Sequence, residues 1–515
     1  MTDTPGLSLV DKRPPPPCPE PYNLVGDVLA AAHARPDKIA LAIVGPARSE
    51  RWSFRRLDRV VRGIGAGLLA RGLRPGDRLL LRLGNGAAFP LAYLGALAVG
   101  IVPVPTAAAL TEPEITRISD LISPVLTVAS EGVSIPGGVP RIADTDLMAL
   151  AETPAADLRP ARPDDLAYIV TTSGTTGAPR AVGHAHRAFR ARRMMWEGWY
   201  GLRATDRMLH AGALNWTFTL GTGLLDPWAM GATAIVPAPD TAPEALPLLL
   251  KRHDVTIFAA APGVYRQMLA RSDLPPLPKL RHGLAAGEKL APTIRRDWET
   301  ATGTPVLEAY GQSECSTFIS GAPGATPPAG TTGFVQAGRA VAVLGTGDAP
   351  APKGTPGELA VHKDDPGLAL GYIGAMDAWR ARFSGPWYRT GDTAIMDAGG
   401  AVTLLGRNDD VMNAGGFRVS PLEVEEALCD HAQIREAGAV AIEVKSDTYV
   451  IAAFYVSDTE IDPSELAQFA ASRLATYKIP RLYRRVQELP KSATGKLQRA
   501  RLRAEYEYEA RHGQT

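Results

Sequence analysis

Apolar runs of strand length alternate with helical patterns along most of the chain. Arg78 to Leu83 reads as a strand, Phe89 to Val99 as a helix, and Ile101 to Val104 as the next strand. Leu166-Ala-Tyr-Ile-Val170 is a buried strand, and Val255 to Ala260 is another, followed by a helix from about Gly263. This alternation predicts an α/β architecture with ligand loops at strand ends. Pro- and Gly-rich connections at 321–330 and 349–357 then predict a β-rich part. Four consecutive prolines, Pro14 to Pro17, keep residues 1–21 an extended arm, because they can form neither helix nor central strand. Ser420-Pro-Leu-Glu423 has the form of a capping box with Pro at the first helical position, and Val424, Ala427 and Leu428 continue that helix. Val440 to Val444 and Val450 to Tyr455 read as strands. The expected division is therefore a large α/β domain over 22–405, a boundary at 406–410, and a small α+β domain over 411–515. No internal repeat is visible.

A chain of 515 residues exceeds one ordinary core, so at least two domains are expected. With 55 basic and 54 acidic residues the net charge is +1, which argues against nucleic acid or a membrane surface as partner. The basic stretch Arg187 to Arg193 reads as a solvated helix face. Cys18, Cys315 and Cys429 form no CxxC pair, so neither a disulfide framework nor a zinc site is indicated, and a reducing cytoplasm is expected. No apolar signal core or run of about 18 apolar residues occurs.

The most chemically loaded segment is Thr171-Thr-Ser-Gly-Thr-Thr-Gly-Ala-Pro-Arg180. It gathers five hydroxyl side chains and two glycines directly after a buried strand. Clustered N–H and O–H donors without bulky obstruction suit a polyphosphate. No Gly-Lys-Ser/Thr ends the loop, so it is not a Walker A motif. The bland alternative is a polar surface turn.

The loop resembles the phosphate-binding signature of the adenylate-forming superfamily, which includes acyl-CoA synthetases, peptide-synthetase adenylation domains and luciferases. Four further segments match that family in order: Tyr310-Gly-Gln-Ser-Glu314, Tyr388-Arg-Thr-Gly-Asp392, Gly406-Arg-Asn-Asp-Asp410 running on to Gly416-Phe-Arg418, and Pro490-Lys-Ser-Ala-Thr-Gly-Lys496. The resemblance implies an ATP- and acyl-binding domain at 22–405, a mobile domain at 411–515, and ATP, Mg²⁺ and coenzyme A as ligands. It implies that Thr172, Ser173, Gly174, Thr175, Thr176, Gly177 and Arg180 hold phosphates, and that Gly287, Glu288 and Lys289 border the adenine. Tyr310 is implied to stack on adenine, Ser313 to donate to the α-phosphate, Glu314 to hold magnesium, and Asp392 with Arg407 to hold the ribose. Lys496 is implied as the catalytic lysine that bridges carboxylate and α-phosphate. Asp409 matches the hinge, while Gly416 and Arg418 match a loop beside a pantetheine arm. Surface lysine, cap aspartate and packing tyrosine remain the plain alternatives for Lys496, Asp392 and Tyr310.

Departures matter equally. Arg180 stands where relatives usually carry Lys, Ala181 where Gly is usual, and Asn413 where Lys is frequent. His184 and His186 lack metal spacing and read as structural. By resemblance, Ala213 to Gly221 builds the acyl pocket, with Trp216 as gate and Thr217, Phe218, Thr219 and Ala286 as walls. Gly311 sits where acetyl-specific enzymes carry a pocket-closing tryptophan, so a deeper cavity is expected. Ala286-Gly-Glu-Lys-Leu-Ala-Pro, Pro19-Glu-Pro-Tyr-Asn23 and Gly231-Ala-Thr-Ala234 look most like benzoate-type CoA ligases. An aromatic or medium-chain acid is therefore preferred to acetate, in an acid–thiol ligase that is compatible with a homodimer. The alternative is a stand-alone adenylation enzyme that loads a carrier-protein thiol.

Overall fold

The computed structural model describes residues 2–3, 6–173, 179–239, 241–271, 274–407, 412–414, 417–445, 448–474, 478–491 and 495–512. They resolve into two compact units. The first comprises Met1–Asp3, Val10–Ala340 and Val361–Tyr388; the second comprises Thr4–Leu9, Val341–Ala360 and Arg389–Thr515. The boundary expected at 406–410 lies mostly outside the described residues, and the strand Ala401–Arg407 runs up to it.

In the first unit, parallel strands run in the order Ile39–Val44, Thr233–Pro237, Arg207–His210, Ile257–Ala260, His282–Ala286 and Val306–Gln312. The strand Ser316–Ser320 joins the last of these antiparallel. A second parallel sheet holds Val102–Pro105, Arg78–Arg82, Leu126–Ala129 and Arg141–Ala143. Val102–Pro105, Leu126–Ala129, Ile257–Ala260 and His282–Ala286 are buried on both faces, which is why such strands read as continuous apolar runs rather than alternating ones. The helix Ala88–Ala98 is apolar all round and correspondingly buried along its described length.

The second unit shows alternation in its purest form. Glu436–Lys445 and Thr448–Val456 pair antiparallel, and Leu482–Arg485 adds a parallel strand. Ala439, Ala441, Ile451 and Ala453 face one core with Val424, Leu428 and Leu466. Val440, Ile442, Ala452 and Phe454 face another with Leu489 and Leu502. Period-two alternation serves two apolar faces at once.

Two expectations are corrected. The helix Pro421–Cys429 starts at Ser420 as expected, but no capping box forms. The Ser420 hydroxyl donates to the Leu405 carbonyl instead, and Glu423 pairs with Lys478 at 2.8 Å. Nor is Arg187 to Arg193 a solvated face. Arg190 and Arg193 both reach Asp27, and Arg192 is buried. Its guanidinium donates to Asp226 at 2.7 Å, to Ser316 Oγ at 2.7 Å and to Tyr200 Oη at 3.1 Å. Tyr200 and Trp196 also donate to Asp226, which is fully buried. Burial opposes the Arg192 charge, but the adjacent carboxylate more than offsets it, so its pKa stands above the ordinary value. A Cβ at Gly221 would meet the Arg192 Cζ at 2.2 Å, so the helix backbone itself makes room for the guanidinium.

Removing one partner of such a pair strands a buried charge. Asp226→Ala is expected to lower stability by about 3–5 kcal/mol, read as a shifted urea midpoint. Disrupting the exposed Arg55–Asp37 pair by Arg55→Ala should cost no more than about 1 kcal/mol.

Candidate active site

The strands that flank the loop expected to hold phosphates pair with each other. Leu166–Ser173 and Pro179–Ala185 pair antiparallel, with Ser173 opposite Pro179 and Thr172 opposite Arg180. Gly174, Thr175, Thr176 and Gly177 lie outside the described residues, as does the side chain of Ser173. Thr172 and Arg180, both half-buried, are therefore the described roots of the loop. Ala181, in place of the usual glycine, packs with Leu80, Val104 and Ile118 beneath it.

The short strand Gly371–Tyr372 pairs along the hairpin, placing Tyr372 opposite Val182. The Arg180 Cζ lies 5.2 Å over the Tyr372 ring. The Tyr372 hydroxyl donates to Glu314 Oε1 at 2.8 Å. Burial and the Glu314 charge raise the tyrosine's pKa, which keeps it a donor. Arg180, Tyr372 and Glu314 thus form one chain from loop root to carboxylate. Tyr372 was not anticipated; only the Gly-Tyr doublet hints at it.

Glu314 belongs to the turn between Val306–Gln312 and Ser316–Ser320. The turn's carbonyls are clamped: Ala369 N–H donates to Glu314 O at 2.8 Å, and His184 Nε2 lies 2.7 Å from Ser313 O. Ser316 takes φ = 60°, an uncommon conformation for a residue with a side chain. Tyr310 accepts from Gln312 Nε2 at 3.0 Å and meets Phe318 edge-on at 5.3 Å. A Cβ on Gly311 would fall 2.2 Å from the Ser316 carbonyl, so glycine here has a backbone reason independent of pocket depth.

The strand His282–Ala286 is followed by Gly287 with φ = 97°, next to the segment expected to line the acyl pocket. The Trp216 indole stands 2.6 Å from where a Gly287 Cβ would sit. Phe218 meets Trp216 edge-on at 5.1 Å and stacks on Trp199 at 5.6 Å. Thr219 is fully buried, its Oγ1 2.2 Å from where a Gly212 Cβ would sit, and Phe218 meets His210 edge-on at 4.3 Å. His210 is itself buried, and burial pushes its pKa down to about 3. Thr217 instead lines a cavity of about 40 Å³ together with Arg192 and Ser313. Glu288 and Lys289 continue from Gly287 in the same segment.

The remaining positions belong to the second unit. Asp392 is buried and stands opposite Arg407 in the antiparallel register of Trp387–Met396 with Ala401–Arg407. Lys496 is exposed, beside the bridge between Lys491 and Leu497. Arg418 lies on the strand Phe417–Val419 opposite Asn413. Asp409, Gly416 and the side chains of Arg407 and Arg418 lie outside the described residues.

Among the described residues no group of three or more His, Cys, Asp or Glu side chains forms a metal cage. Glu314 is a single half-buried carboxylate with an ordered partner. That donor set fits Mg²⁺, which takes one or two carboxylates plus substrate oxygens.

The hairpin that flanks the hydroxyl-rich segment is tied through Tyr372 to the turn of Glu314, in a chain whose sequence profile is that of an AMP-binding enzyme. The chain belongs to that family: its profile matches residues 28–373, and the profile of the AMP-binding enzyme C-terminal domain matches 423–496. The chain is 31% identical to the benzoate–CoA ligase of Thauera aromatica, over 97% of this chain and 99% of that one. It is 30% identical to the 4-hydroxybenzoate–CoA/benzoate–CoA ligase of Rhodopseudomonas palustris, over 94% of each. Among solved structures, a benzoate CoA ligase from Burkholderia xenovorans superposes with a TM-score of 0.84 at 28% identity, covering 94% of this chain and 100% of that one. An anthranilate CoA ligase in complex with anthranoyl-AMP superposes with a TM-score of 0.86, also at 28% identity, covering 96% and 99%.

Tyr372→Phe keeps the ring under Arg180 and deletes the donor to Glu314. A hydrogen bond to a charged group is worth about 1.5–3 kcal/mol. Acid-dependent pyrophosphate release should fall about 10- to 100-fold, with little change in the thermal midpoint.

Proposed function

We propose that this chain is an AMP-forming acid–thiol ligase acting on an aromatic acid, with medium-chain acids as the wider class. A carboxylate oxygen attacks the α-phosphorus of ATP and displaces pyrophosphate, giving an acyl-adenylate. The thiol of coenzyme A then attacks the acyl carbon, AMP departs, and acyl-CoA forms. Support for the acid comes from the benzoate- and anthranilate-directed relatives.

The observation that carries the reading is the Arg180–Tyr372–Glu314 chain. Two anions must meet in the first step, so the protein's task is to neutralise and orient rather than to react. Arg180 brings a fixed positive charge to the root of the phosphate loop, and its fork suits phosphate oxygens. Tyr372 holds the Glu314 carboxylate in one orientation for a divalent cation. Bound there, Mg²⁺ would neutralise phosphate charge. Ser313 is assigned to the α-phosphate, Tyr310 and Gly287–Lys289 to the adenine, and Asp392 with Arg407 to the ribose. The cross-strand register of the last two supports their acting together.

Trp216 is assigned as the gate, with Phe218 and Ala286 as apolar walls. Lys496 is assigned to bridge carboxylate and α-phosphate, Asp409 to the hinge, and Gly416 with Arg418 to the thioester step. No helix among the described residues is long and apolar enough to cross a membrane, and no disulfide joins the cysteines. Both are compatible with a cytoplasmic enzyme using free coenzyme A.

Lys496→Ala is expected to lower acid-dependent pyrophosphate release about 10²- to 10³-fold. It should still convert supplied acyl-adenylate and CoA to thioester. Equal loss of both half-reactions would remove the assignment. A wild-type adenylate that ignores free CoA and reacts with a carrier-protein thiol would replace the CoA ligase by an adenylation enzyme.

A further inference from the structure

The cavity beside the helix Thr217–Leu220 is walled by Tyr168, His184, Arg192, Thr217, Ser313 and Ser316. Thr217 belongs to the acyl segment and Ser313 to the nucleotide turn, so the space adjoins the place where the acid must lie. Its least explained wall is His184, which is 3% exposed.

The hydrogen bonding of this histidine fixes its chemistry. Nε2 faces the Ser313 carbonyl at 2.7 Å and must carry the proton there. Nδ1 is then a lone-pair acceptor. It is buried and has no hydrogen-bond partner among the described residues. The ring cannot turn freely to find one, because it stacks on Tyr168 at 4.9 Å with 12° between planes. Protonation does not relieve it either. Burial pushes the pKa down to about 4, against the Ser313 contact, and the charges of Arg187 and Arg192 add to the depression. Arg192 spends its donors on Asp226, Tyr200, Thr222 and Ser316. A buried acceptor of this kind is ordinarily satisfied by water or by a ligand.

Size selects what can enter. A single water needs about 10–15 Å³ of such space, and benzene fills a cavity of about 150 Å³. At about 40 Å³ the cavity admits a hydroxyl or amino group, while an aromatic ring stays outside it, beside Thr217.

We propose that His184 is a specificity-determining residue of the acyl site, its Nδ1 accepting a hydrogen bond from an O–H or N–H substituent on the acid. The inference rests on the ligase reading for the identity of the acid as substrate. A methoxy group cannot satisfy the acceptor, since it offers oxygen lone pairs and no proton. Unsubstituted acids leave a water in the cavity.

The test uses the full-length protein with a non-hydrolysable ATP analogue. Binding of benzoate, the hydroxy- and aminobenzoate isomers and their methoxy counterparts is read from tryptophan fluorescence. Pyrophosphate release on the same acids reports the ligase reading separately. At least one hydroxy or amino isomer is expected to bind about 10- to 100-fold more tightly than benzoate and than its methoxy counterpart. His184→Phe, which keeps a ring against Tyr168 but deletes the acceptor, should bring that ratio to within about threefold of one. His184→Asn, whose Oδ1 stands where Nδ1 stood, should retain part of it.

A wild type that prefers no donor-bearing isomer overturns the proposal, as does a preference that persists in His184→Phe. Should that variant not fold, the wild-type preference over the methoxy acid and its partial retention in His184→Asn decide the matter. Pyrophosphate release that is equal for hydroxy, methoxy and unsubstituted acids sinks the specificity role and spares the ligase. Discriminating binding without pyrophosphate release does the reverse.

Discussion

A guanidinium and a carboxylate buried together, Arg192 and Asp226, set the terms for much of the first unit's interior. Neither ion is stable there alone, so the groups around them are arranged to complete their hydrogen bonding. Tyr200, Trp196 and Thr222 take part on one side. On the other, Arg192 reaches Ser316, which stands in an uncommon backbone conformation at the end of the turn carrying Ser313 and Glu314. A charge pair in the core therefore holds the turn that carries Ser313 and Glu314. This is costly to build and hard to deform, which suits the polyphosphate contact proposed for that turn.

The same interior explains why the histidines nearby are neutral. His184 and His210 are both buried, and in both burial is the leading cause of a depressed pKa. Arg192 adds to the effect at His184. A neutral imidazole in a dry wall is an oriented dipole, with one donor and one acceptor. At His184 the donor is used on the Ser313 carbonyl, so the Ser313–Glu314 turn and the cavity beside Thr217 share one ring. What occupies the cavity is then linked to how the turn is held.

Much of the fold is legible in the residues because its signals are local. Leu166 to Val170 announces a buried strand, and the mostly apolar run Val440 to Val444 announces a further strand. What escapes is non-local. Tyr372 sits on a strand of two residues, too short for any period, and its partner Glu314 is 58 positions away. Arg192 lies among other arginines, and only Asp226, 34 residues on, distinguishes it from them. The Ser420–Glu423 pattern failed for the complementary reason. It is a correct local grammar overruled by tertiary partners, the Leu405 carbonyl and Lys478, that no local rule can anticipate. The motifs were enough to place the chain in its family, but not to say whether Thr217 and Phe218 face one space. They fall on different sides of a single helical turn, toward the cavity and toward Trp199.

The two departures in the phosphate-loop hairpin make physical sense together. Glycine after the loop would leave its second strand loose, whereas Ala181 fills a site in an apolar cluster and fixes the strand. A strand fixed there gives residue 180 less freedom to move. Lysine, a compact charge on a flexible stem, gains from mobility; arginine gains from a planar surface to rest on. Tyr372 supplies that surface, and it is the same side chain that orients Glu314. Arg180 and Ala181 therefore read as one adjustment, in which a mobile cation is exchanged for a pre-positioned one. Under the phosphate-binding role proposed for Arg180, less side-chain entropy is then lost on binding the anion.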